Sequence, residues 1–327
     1  MRIVRYKMNR LKIVTVCVMI AAAVAVVVAS RNRQQLAPPP DVPVAASPAE
    51  VRVKAVERKP EPLECEVVDV STSVAIVCGA DSATADRYEA RNDALRSIAR
   101  RRDLPEKDVA ALVAYLRSKD NAMRVERVAA LKNDVINLLR RQEPPPEGLA
   151  ETFMDVFSGG EHPPAVLDYC IQHLGAMLDG MDDAMRRRVR ETLAKAARRT
   201  DRPYAGTALY SLAEDKRSSA SQNAELKRLT LALCRNGVDT AARIAAIQLA
   251  GERGYREVLP AIRGILSGVR RDAVLDIVCI GSLGLVGDAG DIALLERFAA
   301  DRRRSPAATA AIKRINDRKG GTHVSSR

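Results

Sequence analysis

The stretch AARIAAIQLAGERGYREVLPAIRGIL, residues Ala241–Leu266, decides the fold. Its apolar side chains recur three and four positions apart, the spacing of one side of a helix, and Gly254 splits the run into two helices. Displaced by 33 residues, the region lies on itself. Asp239 falls on Asp272, Ile244 on Ile277, Ile247 on Ile280, Gly251 on Gly284, Gly254 on Gly287, Leu259 on Ile292 and Ile262 on Leu295. The matched positions are core-type side chains and turn glycines. Stacked helix pairs need both, because each pair leaves one apolar face for its neighbour to cover.

The same periodicity runs outward from this unit as far back as Ser82. It predicts helices at about 83–101, 105–118, 123–141, 147–158, 164–178, 183–199, 203–214, 221–235, 240–252, 256–267, 271–285, 291–300 and 306–317. Breakers fall between them, among them Gly159-Gly160, Pro163-Pro164, Gly180, Gly237 and Gly268. No run after Cys78 alternates as a strand would. The expected fold class is all-α: a solenoid of stacked antiparallel helix pairs over 82–318, followed by a disordered polar tail, KGGTHVSSR, at 319–327.

The Ala241–Leu266 run resembles a HEAT-type repeat of the short bacterial kind also found in phycobilisome-lyase-like proteins. SLGLVGDAGDIALLERFA (Ser282–Ala299), with its Leu-Gly and Gly-Asp between two helices, is similar to the same pattern. The resemblance is clear over 239–300 and only architectural over 83–238. It implies a HEAT- or armadillo-like superhelix. Some proteins of this kind act on nucleic acids or tetrapyrroles, so an enzyme is one reading that the resemblance leaves open. A lipid or small-molecule binder using the solenoid groove is another. A repeat of this type specifies fold and hardly constrains function.

The N-terminal segment reads as a membrane signal. The net charge is +12 over 327 residues, yet residues 1–33 hold seven Lys or Arg and no acid. The remaining 294 residues hold 46 basic and 41 acidic side chains, an ordinary soluble surface. Ile13–Ala29 is a 17-residue run without charge, at the short end for a bilayer span. Five cations precede it and Arg31 and Arg33 follow, so the N-terminus is expected to stay in the cytoplasm and the rest to be exported. This reads as a basic stretch at 1–12 and a signal anchor at 13–30. A cleaved signal with Val28-Ala29-Ser30 at the cut, and hence secretion, is the alternative. Residues 31–63 carry seven prolines and read as an extended linker.

Residues 64–81 read as a short β-hairpin-like segment. Cys65–Val70 and Ser73–Cys78 are β-rich runs about Ser71-Thr72, which would set Cys65 opposite Cys78. In an oxidising compartment these two form a candidate disulfide, although the turn lacks the Gly or Asn that a two-residue hairpin prefers.

Chemistry-bearing residues are sparse. Of three histidines, His323 lies in the tail, His162 precedes Pro163-Pro164, and His173 follows Cys170 by three residues. Cys170, His173, Asp168 and His162 fall short of a zinc ligand set. Cys234 and Cys279 sit among apolar helix residues, and Cys279 aligns with Ala246, a small core position. Gly284, Gly287 and Gly290 follow a helix, unlike a dinucleotide fingerprint, and Asp288 and Asp291 read as loop and cap residues. No cofactor, metal or catalytic residue is expected.

Basic clusters remain: Arg100–Arg102, Arg186-Arg187-Arg188 with Arg190, Arg198-Arg199, Arg270-Arg271 and Arg302–Arg304. Helix-end charges and solvated faces explain such clusters. As a functional reading, Arg186, Arg187, Arg188 and Arg190 form a candidate partner-binding ridge. Aromatics at 3% argue against base stacking, and the compartment argues against nucleic acid. The expectation is a non-catalytic, single-pass inner-membrane scaffold. Its extracytoplasmic repeat domain would bind a protein or another envelope component.

Overall fold

The computed structural model describes residues 69–159, 161–269 and 272–321. Fourteen α-helices and three short 3-10 turns make up the regular structure of these residues. In chain order they are α1 Val70–Val77, α2 Tyr88–Ile98, α3 Glu106–Arg117, α4 Val125–Arg140, α5 Leu149–Gly159, α6 Pro164–Met177 and α7 Asp183–Ala197. Then follow α8 Tyr204–Glu214, α9 Ala220–Leu233, α10 Thr240–Glu252, α11 Leu259–Ser267, α12 Ala273–Val286, α13 Ile292–Ala299 and α14 Ser305–Gly321. The thirteen helices expected from Ser82 onward are all present.

Helix starts are set by short polar side chains that accept otherwise unpaired backbone amides. Asp239 accepts from Ala241 and Ala242, and its repeat equivalent Asp272 accepts from Val274 and Leu275. Ser219 and Gln222 make a reciprocal capping box at α9. Pro105 and Pro163 precede α3 and α6, where an extended residue ends the loop and no amide donor is lost to the helix.

Consecutive helices pack as pairs, α1 with α2 through α13 with α14. The even-numbered helices also pack on one another, α2 on α4, then α6, α8, α10, α12 and α14, as one unbroken row. Small residues let this row close up. A Cβ on Gly251 of α10 would lie 2.8 Å from Ser282 Oγ of α12, and one on Gly175 of α6 would run into Ser211 of α8. The core between the rows is a single apolar cluster from Val74 to Ile315. Neighbouring pairs thus cover each other, as the 33-residue repeat requires.

Two expectations change. Residues 70–77 are a helix, where a hairpin strand was expected. Asp69 caps it by accepting from Ser71 N, and Val74 and Val77 bury one turn apart against α2 and α3. The hairpin register that set Cys65 opposite Cys78 is therefore absent. Cys78 ends this helix as a free thiol, and Cys65 lies outside the described residues. The segments 1–12, 13–30 and 31–63 also lie outside them. Among the described residues, no helix is long and apolar enough to cross a membrane.

Candidate functional site

The arginine ridge expected on α7 is not a surface ridge. Arg186 and Arg190 lie one helical turn apart, are each 8% exposed, and both point inward to Asp215, the residue that ends α8. Arg186 Nη2 donates to Asp215 Oδ2 at 2.6 Å, and Arg190 Nη1 donates both to Asp215 and to Ser218 Oγ. Burial alone would raise the Asp215 carboxyl, but hydrogen bonds from the two guanidinium groups outweigh it and hold it below the usual carboxylate range. Arg188 pairs with Glu151 at 3.2 Å, and Arg187 is exposed. The four cations of that sequence run are split between core and solvent because 3.6 residues per turn sends 186 and 190 one way and 187 and 188 another.

Other basic side chains are likewise engaged within the fold. Arg91, 1% exposed, donates to the carbonyl of Val77, the last residue of α1, and pairs with Asp120 at 2.8 Å. Arg217 donates to Leu178 O and Met181 O after α6, Arg253 to Ala213 O of α8, and Arg318 to Gly284 O and Gly287 O at the end of α12. In each case a cation from a later segment covers carbonyls left open at a helix C-terminus, where the dipole favours it. Arg263 holds Asp291, and Arg304 holds Asp276 and Asp301. Arg102 pairs with Glu143 and Arg198 with Glu225. Arg270 and Arg271 lie outside the described residues.

The histidines and thiols are also built into the packing. His173 Nδ1 lies 2.7 Å from Arg140 Nη1 and its Nε2 lies 3.3 Å from Asn133 Oδ1. Because arginine can only donate, the ring is neutral with its proton on Nε2. Burial, aided by the Arg140 charge, pushes its pKa down to about 4. His162 Nδ1 lies 3.4 Å from the ammonium of Lys132, a side chain 1% exposed that also donates to Leu116 O at the end of α3. Burial lowers Lys132 to about 8. Burial pushes Cys170, Cys234 and Cys279 up to about 12 and Cys78 up to about 11, which makes them poor thiolates. Cys170 and His173 face the core, and among the described residues no three His, Cys, Asp or Glu side chains converge as a metal site. Gly287 ends α12, and Asp288 and Asp291 cap the turn after it reciprocally.

Two open grooves lie on the surface. The larger, about 1190 Å³, is an open trough between α9, α11 and α12. Its walls mix Arg235, Arg243 and Asp272 with Pro260, Ile265 and Leu275. The other, about 350 Å³, lies between α7 and α9 and includes Arg187, Arg198 and Glu225. Neither is the closed apolar pocket that a buried lipid needs.

The feature left without a structural role is the side of the even row that faces away from the odd helices. α12 is apolar nearly all round, AVLDIVCIGSLGLV, so packing on α10, α11 and α14 cannot hide every side chain. Ile277 is 38% and Leu285 41% exposed, eight residues apart on one stripe, with Gly281 between them. Ile244, the repeat equivalent of Ile277, is half-buried on α10. Farther along the row, burial raises the phenol of Tyr169 on α6, and the charges of Asp168 and Asp134 raise it further. Asp168 accepts from Thr207 of α8, and its Oδ1 is buried with no hydrogen-bond partner. Sequence reasoning did not single out this face. The signal was there in α12, whose apolar residues outnumber the positions a half-buried helix can hide.

No family model matches the chain, and no curated protein matches it. Two solved structures are similar. One is human deoxyhypusine hydroxylase in complex with glycerol, 14% identical over 76% of this chain and 97% of that one, with a TM-score of 0.31. The other is an engineered protein, 14% identical over 76% of this chain and 97% of that one, with a TM-score of 0.26. The first corrects one expectation. A similar solved structure is an enzyme by its own name, so the expectation that this chain is not an enzyme is withdrawn. At that TM-score the likeness assigns this chain no activity.

Proposed function

We propose that this chain is a membrane-tethered helical-repeat protein of HEAT type that holds a protein partner against the outward face of its even-numbered helix row. The observation that carries the reading is the Ile277–Leu285 stripe of α12, exposed on a helix whose other sides are all packed. Singly exposed apolar residues are ordinary, but an aligned pair continued by Ile244 on the next helix is the kind of patch that marks an interaction surface. The unbroken row supplies a rigid platform, since each helix is braced by both neighbours. The basic-then-apolar order of residues 1–29 and the seven prolines that follow support an anchor in the cytoplasmic membrane and an extracytoplasmic domain held away from it.

The test is site-specific photo-cross-linking in intact cells. A photoreactive residue at Ile277 should yield a discrete adduct, and one at Arg187, on α7 of the other row, should not. Adducts from Arg187 alone, or from neither position, would overturn the face. A reporter fused after Arg327 that works only in the cytoplasm would overturn the membrane orientation.

A further inference from the structure

One carboxylate serves two buried cations of α7. Asp215 takes Arg186 and Arg190 together, and arginine stays protonated, so the cluster holds one positive charge more than it neutralises. The two guanidinium groups are not used up alike. Arg190 donates from Nη1 alone, to Asp215 and Ser218, and its Nε and Nη2 have no partner among the described residues. Arg186 Nε is sealed in the core without a partner, whereas these two nitrogens of Arg190 still reach solvent, although the residue is only 8% exposed. Nε and Nη2 share one edge of the guanidinium plane. Their parallel N–H groups are the fork that grips two oxygens of a carboxylate or a phosphate.

Arg190 lines the groove of about 350 Å³ between α7 and α9. Both helices pack on α8, whose Leu212 joins Leu226 and Leu229 of α9 as a buried apolar lining of that groove. Arg187, Arg190 and Arg198 follow one another at one and then two turns along the same side of α7. The groove's two acids are already paired, Glu225 with Arg198 at 2.6 Å and Glu191 with Lys195 at 3.3 Å. Arg187 is exposed and has no hydrogen bond or ion pair among the described residues. The unmatched positive charge of the groove is therefore Arg187 and the open edge of Arg190.

We infer that this groove binds a small organic oxyanion, a carboxylate or a phosphate monoester with a short apolar body. Its head group takes the Nε–Nη2 edge of Arg190 and the guanidinium of Arg187, and its body lies on Leu212, Leu226 and Leu229. The site stands apart from the partner face on the even row and does not depend on it. A cation would add to charge that is already unmatched, and a neutral polar molecule would leave the charged fork without a counter-charge. The volume is at the low end for ligand pockets, which suits a small molecule and is too little for a packed protein segment.

The experiment is isothermal titration calorimetry on the full-length protein in zwitterionic nanodiscs, with empty nanodiscs subtracted. The probes are hexanoate, hexyl phosphate, uncharged hexanamide and inorganic phosphate. At least one of the two six-carbon anions should bind at least tenfold more tightly than hexanamide and than inorganic phosphate, and the tighter of the two identifies the head group. Arg190→Lys keeps a cation beside Asp215 but has no fork, and should weaken that anion by about tenfold. Arg187→Gln should weaken it by about threefold and Arg187→Glu by more, with hexanamide unmoved. No binding of either anion overturns the inference. So does hexanamide or inorganic phosphate binding as tightly as they do, or an affinity that both Arg187 variants leave unchanged. Should Arg190→Lys lower the melting temperature, the Arg187 pair, at an exposed position, decides alone.

Discussion

Gly284 of α12 and Ala311 of α14 approach so closely that a Cβ built on Gly284 would lie 2.7 Å from the Cα of Ala311. Three residues earlier on the same helix, a Cβ on Gly281 would meet nothing within 4 Å. Gly284→Ala should therefore push two helices of the row apart and cost about 1–3 kcal/mol. Gly281→Ala should instead stabilise by about 0.5–1 kcal/mol, because alanine loses less backbone freedom in a helix. Urea unfolding of both variants decides the matter, and equal effects would show that the row is not close-packed at Gly284.

The repeat made this pairing partly legible. Gly251 and Gly284 are equivalent in sequence, and each faces a small residue of the next even helix, Ser282 and Ala311. Helix ends were readable for the same reason that caps are local: Asp239 and Asp272 act within three residues of themselves. Segment 70–77 was misread because Val-Ala-Ile-Val suits strand and helix alike, and α2 and α3, against which it packs, lie later in the chain. The α7 arginines were misread because their partner, Asp215, lies 25 and 29 residues on. No local pattern distinguishes a cation aimed at water from one aimed at such a partner.

Asp215→Asn leaves two buried guanidinium groups without their counter-charge. The variant should lose about 3–5 kcal/mol, the range for breaking a buried pair by removing one partner. Arg187→Glu, at an exposed position of the same helix α7, should change stability by less than about 0.5 kcal/mol. Because the folded Asp215 carboxyl lies below its ordinary 3.8, its contribution is present above that pH and fades as pH falls through the lower folded value. Thermal melts from pH 5 to pH 2 should show the two proteins converging toward the acid end.

His173 gives a separate acid response. Its folded pKa of about 4 lies below the ordinary 6.5, so the unfolded chain binds more protons between those values. Stability should fall as pH drops from 6.5 to 4, by an amount on the order of 1–3 kcal/mol. In His173→Gln, which keeps an acceptor for Arg140, that slope should flatten. An unchanged slope would mean that the ring titrates normally.

Lys132 acts at the other end of the scale. Its folded pKa of about 8 lies below the ordinary 10.5, so here too the unfolded chain holds the extra proton. Stability should rise as pH climbs from 8 to 10.5, against the general loss from other groups. The difference between the native protein and Lys132→Met, taken point by point in denaturant melts, isolates that rise. A difference that does not vary with pH would assign the ammonium an ordinary pKa.

The arginines that close helix ends impose an order on folding during synthesis. Ala99 O waits for a residue 42 positions later, Leu178 O for one 39 later, Ala213 O for one 40 later and Gly284 O for one 34 later. A nascent array therefore stays unfinished by about one repeat behind the ribosome exit, and its trailing edge is completed only when the next unit emerges. A chain stopped at residue 300 would leave the end of α12 without Arg318. Its fraying should spread backward from there, while the first pairs, already closed by Arg91 and Arg141, hold.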